Sequence, residues 1–209
     1  MRLKTSVLAL WLSVLALPIL AGCEGGILTI PDEGSGVAAT EERDVGQFTS
    51  IDVSGALNLR LTLDAAAVPS VSVTFDDNLI DRVITRIEGG TLVLEIDGAV
   101  NLTGSNNRFI TVSVADIESI RASGAADVEA VGAVRSYSLN ASGASDVDAE
   151  ELVADLVEVD ISGASGVEVH ATDAISGSVS GASRLRIHGD PKQVGVESSG
   201  ASNVSIDDE

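Results

Sequence analysis

The sequence predicts an all-β protein: a single-stranded β-helix, or β-solenoid, of the right-handed kind with turns of about 19 residues. Three observations carry that expectation. The tripeptide Ser-Gly-Ala recurs at Ser123, Ser142, Ser162, Ser180 and Ser199, at intervals of 19, 20, 18 and 19 residues, and stands once upstream at Ser54. Apolar residues alternate with polar ones on both sides of each tripeptide, and the phase slips across it, as it does at a bend or bulge that glycine permits. A left-handed hexapeptide helix would carry a strict six-residue subrepeat, which is absent.

The chain opens on a separate object. MRLKTSVLALWLSVLALPILAGC has a basic start (Arg2, Lys4), an apolar run from Val7 to Leu20 and then small residues. That is the layout of a secretory signal, too short for a membrane span. Leu20-Ala21-Gly22-Cys23 resembles a bacterial lipobox, in which the peptide is removed before the cysteine and the cysteine carries the lipid. Cys23 is also the only cysteine, and exported cysteines otherwise tend to pair. Residues 1–22 therefore read as a lipoprotein signal peptide, and 23–46 as a lipidated cysteine followed by a flexible, acidic, glycine-rich linker. More than one acyl chain at Cys23 would give a stable membrane anchor.

Without its signal the chain keeps 10 basic and 32 acidic residues, a formal charge of −22. Phosphate backbones are bound by Lys and Arg, so nucleic acid is excluded as a partner. Direct docking on anionic headgroups is opposed for the same reason. The membrane is thus reached through the lipid.

Residues 47–209 form one folded domain by this reading. In its N-terminal part, 47–115, LNLRLTL, SVSVTF, TLVLEI and ITVSV alternate as half-buried strands. DDNLIDRVITRIEG is rich in β-branched residues and reads as a turn, with a short helical turn near Asn78 to Asp81, followed by a strand. Ser54 and Ser123 lie much further apart than the later repeats do, so this part is expected to form wider coils or an antiparallel cap that protects the first edge.

The part from 116 to 209 carries the regular repeats. Three residues before each serine stand Ile120, Leu139, Val159, Gly177 and Val196; five after stand Val128, Val147, Val167, Leu185 and Val204. Each repeat is then a strand, a corner at Gly124, Gly143, Gly163, Gly181 or Gly200, a second strand and a return loop; Gly55 marks the same corner upstream. Stacked repeats make a continuous core that no single one can. The alanine two after each serine is expected to be small because the corner leaves no room. Gly177 and Ser198 at core positions weaken the last repeats.

Four stretches, FTSIDVSGALNLRLTL, VSVTFDDNLIDRVITRIEGGTLVLEI, FITVSVADIESIRASGAADVEA and the Ser-Gly-Ala repeats, together resemble the head GIN domain of autotransporter adhesins, over roughly Val45 to Ser205. Asp-Asn-Leu before a strand and Gly-Gly-x-Leu after it are the most specific features. The resemblance implies an exported or surface-bound β-helical protein and brings no catalytic residues.

Two outward columns carry candidate chemistry. Six after the serines stand Glu129, Asp148, Glu168, Arg186 and Ser205, with Asp127 and Asp146 nearby. Stacked carboxylates repel, so Arg186, solvent or a divalent cation must offset them; calcium is the candidate ion at Glu129, Asp148 and Glu168, and a solvated acidic face is the plainer alternative. Eight after the serines stand Val131, Glu150, His170, His188 and Asp207. His170 and His188, the only histidines, have the ligand chemistry of zinc or copper, against the alternative of two exposed residues that happen to meet.

No catalytic constellation is legible. The serines sit at corners without a histidine placed to activate them. Outside the signal only Phe48, Phe75, Phe109 and Tyr137 are aromatic, which leaves little for sugar rings to stack on. The sequence therefore reads as a lipid-anchored cell-envelope protein, non-enzymatic, presenting a rigid acidic surface for adhesion, scaffolding or binding to a protein or polysaccharide partner. The alternatives are a polysaccharide-acting β-helix enzyme using the acidic ladder, a divalent-cation-binding surface protein, and end-to-end or edge self-association. A groove walled by loops would favour the enzyme.

Overall fold

The computed structural model describes residues 32–103 and 108–207, and the signal segment and Cys23 lie outside them. The described chain is all-β. Its strands are β1 (Asp32–Glu33), β2 (Ala38–Arg43), β3 (Ser50–Gly55), β4 (Asn58–Leu63), β5 (Ser70–Asp76), β6 (Val83–Glu88), β7 (Thr91–Ile96), β8 (Val100–Asn101), β9 (Arg108–Val114) and β10 (Ser119–Gly124). There follow β11 (Asp127–Ala141), β12 (Asp146–Ile161), β13 (Gly166–Val179), β14 (Arg184–His188), β15 (Gln193–Ser198) and β16 (Asn203–Ile206). Among the described residues there is no α-helix, and the one helical feature is a 3-10 turn at Ile80–Arg82. It falls where DDNLIDR reads as a turn, and β6 follows at once, as the β-branched residues of VITRIE require.

The repeats pair in parallel, each with the next. Ile120 lies beside Leu139, Leu139 beside Val159, Val159 beside Gly177 and Gly177 beside Val196. On the other side of the corner Leu59, Val128, Val147, Val167, Leu185 and Val204 line up in the same way. Like side chains are thus stacked in columns, and those up to Leu185 are almost wholly buried. The core is the sum of these columns, and its driving force is the apolar area each successive repeat removes from water.

The long stretch between the first two corners leaves the repeat spacing and adds strands of its own. Ser50–Gly55 pairs in register with Ser119–Gly124, so the corner at Gly55 lies directly beside that at Gly124. The intervening chain flanks both sides of the corner. β7 pairs in parallel with β3 and antiparallel with β6, while β9 pairs in parallel with β4 and antiparallel with β5, which pairs antiparallel with β2.

Four expectations need correction. Residues 38–43, placed in the flexible linker, form β2 against β5. AATEER carries too many acids to read as a strand, and it is one because β5 offers a free edge. The return loops are also absent from the long repeats: β11, β12 and β13 run 15, 16 and 14 residues and turn through register shifts at Glu129/Gly132 and Ala149/Val153 instead. The alanines after each corner, Ala125, Ala144, Ala164, Ala182 and Ala201, are exposed, so no lack of interior room keeps them small. The residue one further on points inward: Leu57, Ala126, then Ser145, Ser165 and Ser183, all buried. Finally, Gly177 is not simply a weak core position. Its φ is 133°, and a Cβ there would run into the carbonyl of Val159.

Candidate functional site

The outward face of the strands after the corner is built by alternation: residues two apart share it. Backbone register makes one column of Arg60, Glu129, Asp148, Glu168, Arg186 and Ser205. A second holds Asn58, Asp127, Asp146, Gly166, Arg184 and Asn203. The three acids expected to stack, Glu129, Asp148 and Glu168, do stand on consecutive strands, and an arginine brackets them at each end.

Those arginines decide the electrostatics. Arg60 Nε lies 3.6 Å from Glu129 Oε2, and its guanidinium sits 4.4 Å from the centroid of the Phe109 ring. Arg186 binds Glu168 Oε1 at 2.7 Å and Asp207 Oδ2 at 3.2 Å. Asp148 in the middle accepts a hydrogen bond from the Glu150 N–H at 3.2 Å. The end carboxylates are therefore offset by the chain's own cations, a compensation for which the sequence had pointed to Arg186 but not to Arg60. Arg60 belongs to the upstream corner, and its neighbourhood with Glu129 depends on a pairing between segments far apart in the chain.

Asp146 is the least comfortable acid. Partial burial, then the charges of Asp127, Glu168 and Asp148, hold its carboxyl above the usual range, and a hydrogen bond from the Val147 N–H only partly opposes them. It leans over Gly166, where a Cβ would come within 2.7 Å of its Oδ1. The face around it forms an open depression of about 330 Å³ whose lining comes from β4, β9, β11, β12 and β13. Its walls are strand side chains rather than loops, and its one aromatic, Phe109, lies under Arg60.

The third column behaves differently from its sequence reading. His170 and His188 are neighbours in register. Their rings nonetheless make different contacts. His170 Nδ1 contacts the Glu150 carbonyl at 3.2 Å, and its Cδ2 and Nε2 lie against Gly189. His188, only 7% exposed, points between two carboxylates: Nε2 is 3.2 Å from Glu168 Oε2 and Nδ1 is 3.7 Å from Glu150 Oε1. The convergent group is thus Glu150, Glu168 and His188, without His170. Glu150 was visible in the column, but the register shift between Ala149 and Val153 hid its reach to His188.

The corner glycines Gly55, Gly124, Gly143, Gly163, Gly181 and Gly200 all have positive φ. Their role is geometric.

The family model described as "Putative auto-transporter adhesin, head GIN domain" matches residues 47–140 and 119–191. Among solved structures, a "putative adhesin" from Bacteroides fragilis is 17% identical with a TM-score of 0.47, covering 84% of this chain and 99% of that one. One from Parabacteroides merdae is 14% identical with a TM-score of 0.40, covering 84% and 98%. A "putative cell adhesion protein" from Clostridium sporogenes is 11% identical with a TM-score of 0.34, covering 81% and 99%. No curated protein sequence matches the chain.

Proposed function

Since the chain belongs to the auto-transporter adhesin head GIN domain family, we propose that it is a lipid-anchored protein of the bacterial cell envelope that holds out a rigid acidic face for adhesion to a partner. In this reading Cys23 carries the lipid, the residues between it and β1 form the tether, and the stacked repeats are a right-handed β-solenoid. The parallel register of successive Ser-Gly-Ala repeats supports the solenoid. The lipobox-like Leu20-Ala21-Gly22-Cys23 supports the anchor.

One observation carries the functional part: the strand-built, arginine-bracketed column Arg60–Glu129–Asp148–Glu168–Arg186. Its charges are held on a rigid lattice by the backbone, so a partner meets a fixed pattern at no cost of ordering loops. Such a pattern suits a basic protein surface. A carbohydrate-cleaving site is less well supported, because the depression has no loop walls and its only aromatic ring is covered by Arg60.

Cells carrying the wild-type chain should attach to a partner surface better than cells carrying E129Q/D148N/E168Q, with the chain present in equal amounts on both. Equal attachment would remove the face from the function. For the anchor, C23A should move the protein from the membrane fraction to the soluble one; a chain that stays with the membrane would rule out lipid anchoring at that residue.

A further inference from the structure

We propose that Glu150, Glu168 and His188 form a zinc site at the flank of the acidic face, a site independent of whatever partner that face binds. One atom from each of the three, a carboxylate oxygen or an imidazole nitrogen, lies within 4.8 Å of the others. The spacing within the group is informative. His188 Nδ1 and Glu150 Oε1 are 3.7 Å apart, beyond hydrogen-bond range. Glu168 Oε2, however, faces the other ring nitrogen, Nε2, at 3.2 Å. Two ligands each about 2 Å from one tetrahedral ion stand roughly 3.3 Å apart, so zinc taken on one ring nitrogen draws the opposite carboxylate round to that side, within the 4.8 Å that already separates the three groups.

The surroundings hold these side chains in place. His188 is nine-tenths buried although it belongs to an outward column. Arg186 takes Oε1 of Glu168 and leaves Oε2 turned toward the imidazole. Arg186 is itself fixed by Asp207. Glu150 is pinned at both backbone atoms: its N–H donates to Asp148 and its carbonyl meets His170 Nδ1. His170 is thus a positioning residue for Glu150, of the outer-shell kind that orients metal ligands.

The donor set selects the ion. One imidazole and two carboxylates, with further positions left to water, suit zinc. Calcium prefers six to eight oxygen ligands, and an imidazole nitrogen is a poor substitute.

The test uses the full chain in detergent micelles, titrated with zinc against a chromophoric chelator, and with cobalt as a spectroscopic stand-in. We expect one tight equivalent of zinc per chain, unaffected by excess calcium. The cobalt form should show visible d–d bands without a thiolate charge-transfer band, which separates this site from Cys23. E150Q and H188Q should each weaken zinc binding roughly tenfold or more, and H170Q less. Should H188Q fail to fold, E150Q decides alone, because Glu150 is half-exposed and tolerates the change. No tight equivalent in the wild type, or undiminished binding in E150Q, overturns the proposal. Losing as much affinity in H170Q as in H188Q overturns it too, in favour of a two-histidine site.

Discussion

Tyr137 buries its phenol in the core, and its hydroxyl finds no hydrogen-bond partner among the described residues. Burial pushes the hydroxyl's pKa well up, since the phenolate would be stranded away from water. A buried, unsatisfied hydroxyl costs about 1–3 kcal/mol, so Tyr137→Phe should hold or raise stability by about 1 kcal/mol in urea unfolding. A clear loss would mean that the hydroxyl is bonded in solution. Asp146 ties stability to pH. Folding raises its pKa, so the folded state binds its proton more tightly than the unfolded chain does. The stability this brings is present below the ordinary carboxylate range and is lost as pH rises through the folded value. Asp146→Asn should therefore raise the thermal midpoint at neutral pH, and the gain should vanish in acid. A gain that persists unchanged at low pH would place its cause in packing rather than charge.

At the scale of the repeating element, the Ser-Gly-Ala corner works through two details. Gly143 has φ 79°, and a Cβ on it would meet the carbonyl of Gly124 on the neighbouring repeat at 2.6 Å. Left-handed backbone and close stacking thus exclude a side chain together. Gly143→Ala should cost at least about 1–3 kcal/mol in chemical denaturation, from the backbone conformation alone; a neutral effect would mean that the repeats can slide apart there. The second detail is the serine that follows the alanine. Ser165 Oγ donates to the Ser162 carbonyl at 3.0 Å, and Ser145 does the same to Ser142 at 2.8 Å. Each satisfies a corner carbonyl from inside the core. Ser165→Ala should lower stability by about 1 kcal/mol. No such cost is expected at Ala164, whose methyl is exposed.

For the whole molecule, stability should decline toward the last repeat. β15 and β16 pair on one side only, with β13 and β14, and Val194 and Ile206 remain 45% and 46% exposed. In a chain of stacked repeats the end unit has one neighbour and frays first. Amide exchange should be fastest in β15 and β16 and slowest where β11 and β12 stack; uniform protection would require something to cover the open edge. The charge also acts at this scale. With 32 acids against 12 basic residues, self-repulsion disfavours the compact state. Added sodium chloride should raise the thermal midpoint through screening.

Much of this was legible in the sequence because a repeat prints its geometry into the chain. The near-constant spacing of the corners, the period of two and the glycine at each corner determined the all-β class, the inward columns and the stacking of Glu129, Asp148 and Glu168, since like positions of successive repeats must lie side by side. Tertiary structure decided what no local pattern encodes. Gly55 lies beside Gly124 although a long stretch of chain separates them, and this pairing brings Arg60 to Glu129. β2 exists because β5 has an edge to offer. The shift between Ala149 and Val153 sends Glu150, not His170, toward His188. The reason is common to all three: spacing determines which residues share a column, while the contacts between columns depend on long-range pairings and register shifts that alternation alone does not record.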